Sequence, residues 1–217
     1  MKKLIKRPVH NIFHFFIITI IVWLSFTCTA YAWLIYSKPE FRGRIIDAET
    51  KETIEGTVVV VLYDKQPLIG GLGSLGGVSS YVFHAKETLT DSKGEFLIPA
   101  YSSALLFTED AGVRFIFYKP GYMADYGNTN IDPILTEKYF STGNIGEELE
   151  IKGRLFELSN YTKWKGPVGI VELKKAKTYD ERRRTVPSAP SNYTSQDLPL
   201  FFKAISEDRK ERGLEVR

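Results

Sequence analysis

The sequence predicts a mainly β protein: an antiparallel β-sandwich with a C-terminal helical tail, behind an N-terminal export leader. Three observations point there. Residues 1–32 have the charge and hydropathy order of a signal peptide. Residues 56–63 contain a nearly unbroken β-branched run, Thr57-Val58-Val59-Val60-Val61 followed by Leu62, which suits a strand buried on both faces or nearly so. Turn chemistry then punctuates the chain, at Asp91-Ser92-Lys93-Gly94 and at Pro120-Gly121, as short strands require.

In the leader, Lys2, Lys3, Lys6 and Arg7 form a basic n-region, residues 12–26 are uncharged and mostly apolar, and Ala30-Tyr31-Ala32 is a small-x-small site that places cleavage after Ala32. An uncleaved anchor is the rival reading. The uncharged run continues to Ser37, long enough for a bilayer crossing of roughly 20 residues, with Trp33 and Tyr36 at an interface. The Ala-x-Ala site favours cleavage. Cys28 follows Ser25-Phe26-Thr27, a poor lipobox.

Removing 32 of 217 residues leaves 185, enough to bury a core in one domain. The leader takes four basic residues and no acidic one, so the formal charge falls from +3 to −1. The basic balance of the full chain is therefore no sign of nucleic-acid binding. The mature part holds no cysteine, so no disulfide is available to it, and His84 is its only histidine.

Strands are expected over residues 42–47 and 56–63, joined by a polar turn region. Residues 66–80 are rich in glycine (Gly70, Gly71, Gly73, Gly76, Gly77) and read as a flexible loop. A phosphate-binding loop would need Lys-Ser/Thr after the glycines, where Val78-Ser79-Ser80 stands. Residues 81–89, 95–99, 112–118, 150–158 and 167–173 complete the expected strands. Residues 123–148 read as loop with one short strand or helical turn. The sandwich is expected over 33–176. Residues 41–65 overlay 151–175 without a gap, Gly43-Arg44 on Gly153-Arg154 and Gly56 on Gly166, a faint echo that similar strand-and-turn units produce by chance.

The tail, 177–217, changes class. Thr178-Tyr179-Asp180-Glu181 fits a capping box, with residues 182–184 in the same short helix. Residues 186–192 hold Pro187 and Pro190 and read as a linker. An amphipathic helix follows over 198–212, with Asp197 as cap, Pro199 in the first turn, Leu198, Phe201, Phe202 and Ile205 as an apolar stripe, and Gly213 as stop. From Lys174 onward, eleven basic residues face seven acidic ones, so the tail is +4 and the rest of the mature chain −5. That asymmetry favours a tail folded onto its own domain over one docked on a partner or on anionic lipid.

Three motifs carry a family likeness: Gly43, Ile45, Ile46 and Asp47 with Gly56, Val58 and Val59; Thr90, Asp91, Gly94 and Phe96; and Lys119, Pro120, Gly121 and Tyr122. Together they resemble the carboxypeptidase regulatory-like domains, which share the transthyretin-like β-sandwich. The match covers about residues 40–125. The glycine-rich insertion departs from the pattern, and 126–217 is uncovered. The resemblance implies a non-catalytic module for binding or support.

Catalytic readings fare poorly on composition. His84-Ala85-Lys86-Glu87 has a zinc-carboxypeptidase spacing, but a catalytic zinc takes three protein ligands, and strand positions three apart point to opposite faces. Hydroxyisourate hydrolases and intradiol dioxygenases share related sandwiches but require more histidines. No Gly-x-Ser-x-Gly elbow exists; Gly73-Ser74-Leu75-Gly76 is a loose look-alike. Glu147-Glu148 reads as a solvated pair. The sequons at Asn160 and Asn192 are common by chance.

The expectation is thus an exported, non-enzymatic module of the periplasm or cell envelope, without cofactor, metal or nucleic acid. It would bind an envelope protein, peptide or glycan, with Tyr118, Tyr122, Tyr126 and His84 as candidate contacts. Membrane attachment follows only if the leader stays uncleaved, anchoring the chain in the inner membrane, or the tail helix docks on lipid. The alternatives are a hydrolase using His84 with Ser79, Ser80 or Glu87 in the 66–89 region, and a membrane-tethered subunit of an envelope assembly.

Overall fold

The β-branched run becomes the central strand of a three-stranded sheet, which is why it has no polar side. The computed structural model describes residues 17–20, 35–67, 80–105, 107–124, 133–153, 162–178, 180–181, 186–188, 190 and 192–212. The cleavage site at Ala30 and Ala32, the glycine-rich stretch 68–79, Tyr126 and the expected helix over 182–184 lie outside these residues. Residues 17–20 are helical and exposed. Among the described residues, no helix is long and apolar enough to cross a membrane.

The chain divides into two compact units, residues 1–37 with 102–106, and residues 38–101 with 107–217. The first contributes most of a two-stranded sheet formed by β1 (Ile35–Lys38) and β6 (Tyr101–Ala104), where the hydroxyls of Ser37 and Ser102 lie 3.3 Å apart.

The second unit is mainly β, with several antiparallel pairings and a C-terminal helix. β3 (Val58–Pro67) lies between β4 (Tyr81–Leu89) and β7 (Thr108–Tyr118), antiparallel to both. β2 (Phe41–Asp47) lies between β5 (Glu95–Ile98), antiparallel, and β10 (Ile170–Leu173), parallel. β8 (Glu148–Gly153) and β9 (Thr162–Pro167) form a separate antiparallel pair.

Alternation along β3 splits its side chains between two layers. Val59, Val61 and Tyr63 share one face with Phe115 and Phe117, and aromatic rings from the second sheet close on it: Phe41 meets Phe115 edge-on at 5.3 Å, and Phe96 lies 5.8 Å from Phe117. Phe140, from helix α1 (Pro133–Ser141), joins them at 4.5 Å from Phe115. Val58, Val60 and Leu62 face the other way with Ile116 and Tyr118. There they bury Leu198, Phe201, Ala204 and Ile205 at helix α2 (Pro199–Glu211). Two sheets packed face to face, with a helix behind one of them, give the expected sandwich class with its C-terminal helix.

The motif residues hold the turns of this frame. A Cβ on Gly43 would stand 2.7 Å from the Phe96 ring and 2.8 Å from the Gly169 carbonyl oxygen, so only glycine lets β2 sit against both neighbours. Gly94 has φ +71°, and Asp91 Oδ1 accepts from the N–H groups of Lys93 and Glu95 at 2.9 and 2.8 Å. Thr90 Oγ1 donates to Ile54 O at 2.7 Å and accepts from Thr57 N at 2.9 Å. Lys119 Nζ donates to Glu55 O at 2.7 Å.

The structure corrects several boundaries. Residues 123–148 hold a nine-residue helix, α1. The strand expected over 150–158 begins earlier, as β8 from Glu148 to Gly153, with 154–158 outside the described residues, and that over 167–173 resolves into the end of β9 and β10 around a turn at Gly169 with φ +73°. The echoed segments take different roles: β2 is central in its sheet, whereas β8 belongs to a hairpin. Asp197 does not cap α2. Its Oδ2 accepts from Thr194 N and Oγ1 at 2.8 and 2.7 Å. Phe202 lies half-buried on the flank, and the buried line is Phe201, Ala204, Ile205 and Asp208. The capping box does form: Thr178 Oγ1 accepts from Glu181 N at 3.1 Å, and Glu181 Oε2 accepts from Thr178 N at 3.0 Å.

Candidate functional site

A β-bulge organises the most chemically varied end of the molecule. Tyr63 pairs with His84, but Asp64 pairs with Val82, so Phe83 is an extra residue in β4. The bulge has two consequences. Val82 shares the α2 side of the sheet, and Phe83 and His84 both reach Tyr101.

On the inner side, His84 stacks on Tyr101 at 4.3 Å and 17°, and lies 5.6 Å from Tyr63. Burial, then the nearby Lys86 ammonium, holds the His84 pKa below its ordinary value, which favours a neutral ring. Burial, reinforced by Tyr101, pushes the Tyr63 phenol up to about 12. Lys65 Nζ sits 3.8 Å from the centre of the Phe83 ring, and burial lowers its pKa. Lys86 Nζ donates to Pro99 O and Ala100 O at 3.1 and 3.3 Å. The cluster is a packed aromatic stack.

Glu87 is on the other side, opposite Val60 in register. Its two carboxylate oxygens accept from Leu200 N at 2.7 Å and Phe201 N at 2.9 Å. A strand carboxylate thus caps α2, supplying what Asp197 was expected to supply. His84 and Glu87 diverge to opposite faces. Among the described residues, no group of three or more His, Cys, Asp or Glu could hold a metal ion.

Of the tyrosines expected to contact ligand, Tyr118 and Tyr122 have separate partners. Tyr118 is buried under α2, 6.3 Å from Phe201 and edge-on to it, and burial followed by Asp208 raises its pKa. It presents no face to a ligand. Tyr122 donates to Asp47 Oδ2 at 3.2 Å, beside Lys175 at 3.6 Å from the same oxygen. The backbone N–H groups of Thr50 and Glu49 hold the Asp47 carboxyl below the usual range. This cluster ties β2 to the Pro120-Gly121 turn.

A cavity of about 500 Å³ lies along β7 and is lined from both sides of that strand, with Val113, Phe115 and Thr136 joining residues of the α2 side. Leu62, Val82 and Ile116 form its floor, each also touching or belonging to the core beneath α2. Pro190 and Tyr193, from the tail, line it as well. Arg114 also lines it; its Nε and Nη2 donate to Asp64 Oδ2 and Oδ1 at 2.6 and 2.8 Å. Asp64 is 4% exposed and Arg114 60%, so a buried carboxylate presents an accessible guanidinium and raises its pKa. Burial, then Asp197, raises the Tyr193 pKa, which keeps its hydroxyl protonated. Tyr81, exposed, stands at the mouth. A second depression, by Arg42, Arg44 and Leu97, is more polar, and Arg44 there is ion-paired to Glu95.

Sequence reasoning missed Arg114, Asp64 and Tyr193. One signal was available: Asp64 is a carboxylate ending the most apolar run of the chain, a position where an acid needs a partner. Compared with known proteins, the chain matches no family model, no curated protein and no solved structure.

Proposed function

We propose that this chain is an exported, non-catalytic β-sandwich module of the cell envelope that works by contact with protein, peptide or glycan. The observation that carries the reading is the engagement of its reactive side chains. His84 is stacked on Tyr101 in a three-ring cluster with Tyr63, and Glu87 caps α2 from the opposite face. The hydrolase alternative needs His84 beside Glu87 or a serine. Ser79 lies outside the described residues.

The kinship proposed is with the carboxypeptidase regulatory-like domains. Its support is that Gly43, Thr90, Asp91, Gly94, Lys119 and Tyr122 all hold turns or strand contacts in one frame. Export rests on the leader's charge order and its Ala-x-Ala site. A concave candidate for the contact surface is the cavity beside α2.

The test is a pair of measurements on the purified protein. A panel of ester, amide and glycoside substrates should show no turnover that His84→Ala removes, and N-terminal sequencing of the exported protein should begin at Trp33. Turnover abolished by His84→Ala would establish the hydrolase instead.

A further inference from the structure

The sheet face beneath α2 is apolar apart from Glu87, Asp64 and Arg114, and the helix covers only part of it. Val58, Val60 and Tyr118 lie in the cluster that holds Phe201, Ala204 and Ile205. Leu62, Val82 and Ile116 extend that surface and form the floor of the 500 Å³ cavity. A concavity of this size suits a small molecule. Among the described residues that line it, the cation is Arg114, which is fixed in place by Asp64 and still 60% exposed.

We infer that this cavity binds a single-chain amphiphile with a terminal carboxylate, the chain lying on Leu62, Val82 and Ile116 and the acid meeting Arg114. The inference rests on the reading of the protein as a binding module and names the ligand class of that site. Three physical points favour this occupant. First, burying a hydrocarbon chain on aliphatic side chains is worth more with each methylene, and Leu62, Val82, Val113 and Ile116 supply such side chains in the lining. Second, the pairing with Asp64 uses the Nε–Nη2 edge of the guanidinium. Arginine has further donors beyond that edge, in a planar array that matches a carboxylate. Third, Tyr193 lines the same cavity and its hydroxyl is kept protonated, so it brings no negative charge. Asp64 is here a positioning residue for Arg114.

The test uses the full-length chain and three probes: decanoate, decanol and a photoreactive decanoate with a diazirine at the chain end. Illumination should place adducts on peptides carrying Val82, Ile116 or Tyr193. Decanoate should compete for them, with affinity rising about fourfold per added methylene from octanoate upward. Arg114→Gln should weaken decanoate at least about tenfold and leave decanol unchanged. Val82→Trp, which fills the floor from a half-buried position, should abolish both. If Val82→Trp fails to fold by circular dichroism, the Arg114→Gln comparison and the chain-length series still decide the matter. Adducts confined to the leader, or decanoate and decanol equally affected by Arg114→Gln, would overturn the inference. Neither result touches the non-catalytic reading, which the turnover assay tests separately.

Discussion

The two faces of the β4-β3-β7 sheet are built differently. The inner face is sealed by interlocking rings: Phe115 and Phe117 from this sheet, Phe41 and Phe96 from the other, and Phe140 from α1. The outer face is mostly aliphatic, with Tyr118 among its side chains, and among the described residues it is covered by α2 with Val186 and Tyr193 of the tail. Aromatic rings on several elements cross-brace one another, so the inner layer resists local opening. The outer layer depends on one helix whose leading N–H groups are capped by one carboxylate. One face is thus braced by several elements and the other by one helix, and the difference comes from what each strand residue meets across the layer.

Phe115→Ala should break the comparison most severely. Its ring touches Phe41, Phe117 and Phe140, and its loss should cost about 3–5 kcal/mol of global stability, read from denaturant midpoints with m unchanged. Phe201→Ala removes the main anchor of α2. It should cost about 3 kcal/mol, with hydrogen exchange rising in α2 while β3 stays protected. A matching loss of protection in β3 would show that the two faces are one cooperative unit. Glu87→Ala should cost about 1–2 kcal/mol and make limited proteolysis cut near residues 194–200. Cleavage unchanged from the parent would remove the cap from the account.

The smallest effect expected is a pH slope from His84. Its folded pKa is depressed by burial and Lys86, so the unfolded chain binds more protons on acidification. Stability should therefore be complete above the unfolded pKa of about 6.5 and decline as pH falls from there through the folded pKa. His84→Gln should flatten that slope, measured by urea unfolding between about pH 7 and 5.

Local rules made much of the frame legible. The Val58–Val61 run announced a central strand, 81–89 coincides with β4, and the glycines at 43 and 94 were marked by their motifs because backbone contacts forbid a side chain there. Long-range relations were not legible. Helix α1 reads in the sequence as no more than a short strand or helical turn because Asn128, Asn130, Pro133 and Gly143 resemble loop punctuation, while its burial comes from Phe140 packing on distant rings. The cap of α2 was assigned to Asp197 by adjacency. Glu87 does that work from 113 residues away, a distance no spacing rule spans. The cavity was hidden for the same reason, since its floor comes from three strands and part of its lining from the tail.

The most direct measurement is photo-crosslinking in cells with benzoylphenylalanine placed at Tyr81, at the mouth of the cavity, and at Leu97, an exposed position in β5. The account predicts a discrete adduct from position 81, lost in an Arg114→Gln background, and none from position 97. A discrete adduct from 97 with nothing from 81 would contradict it.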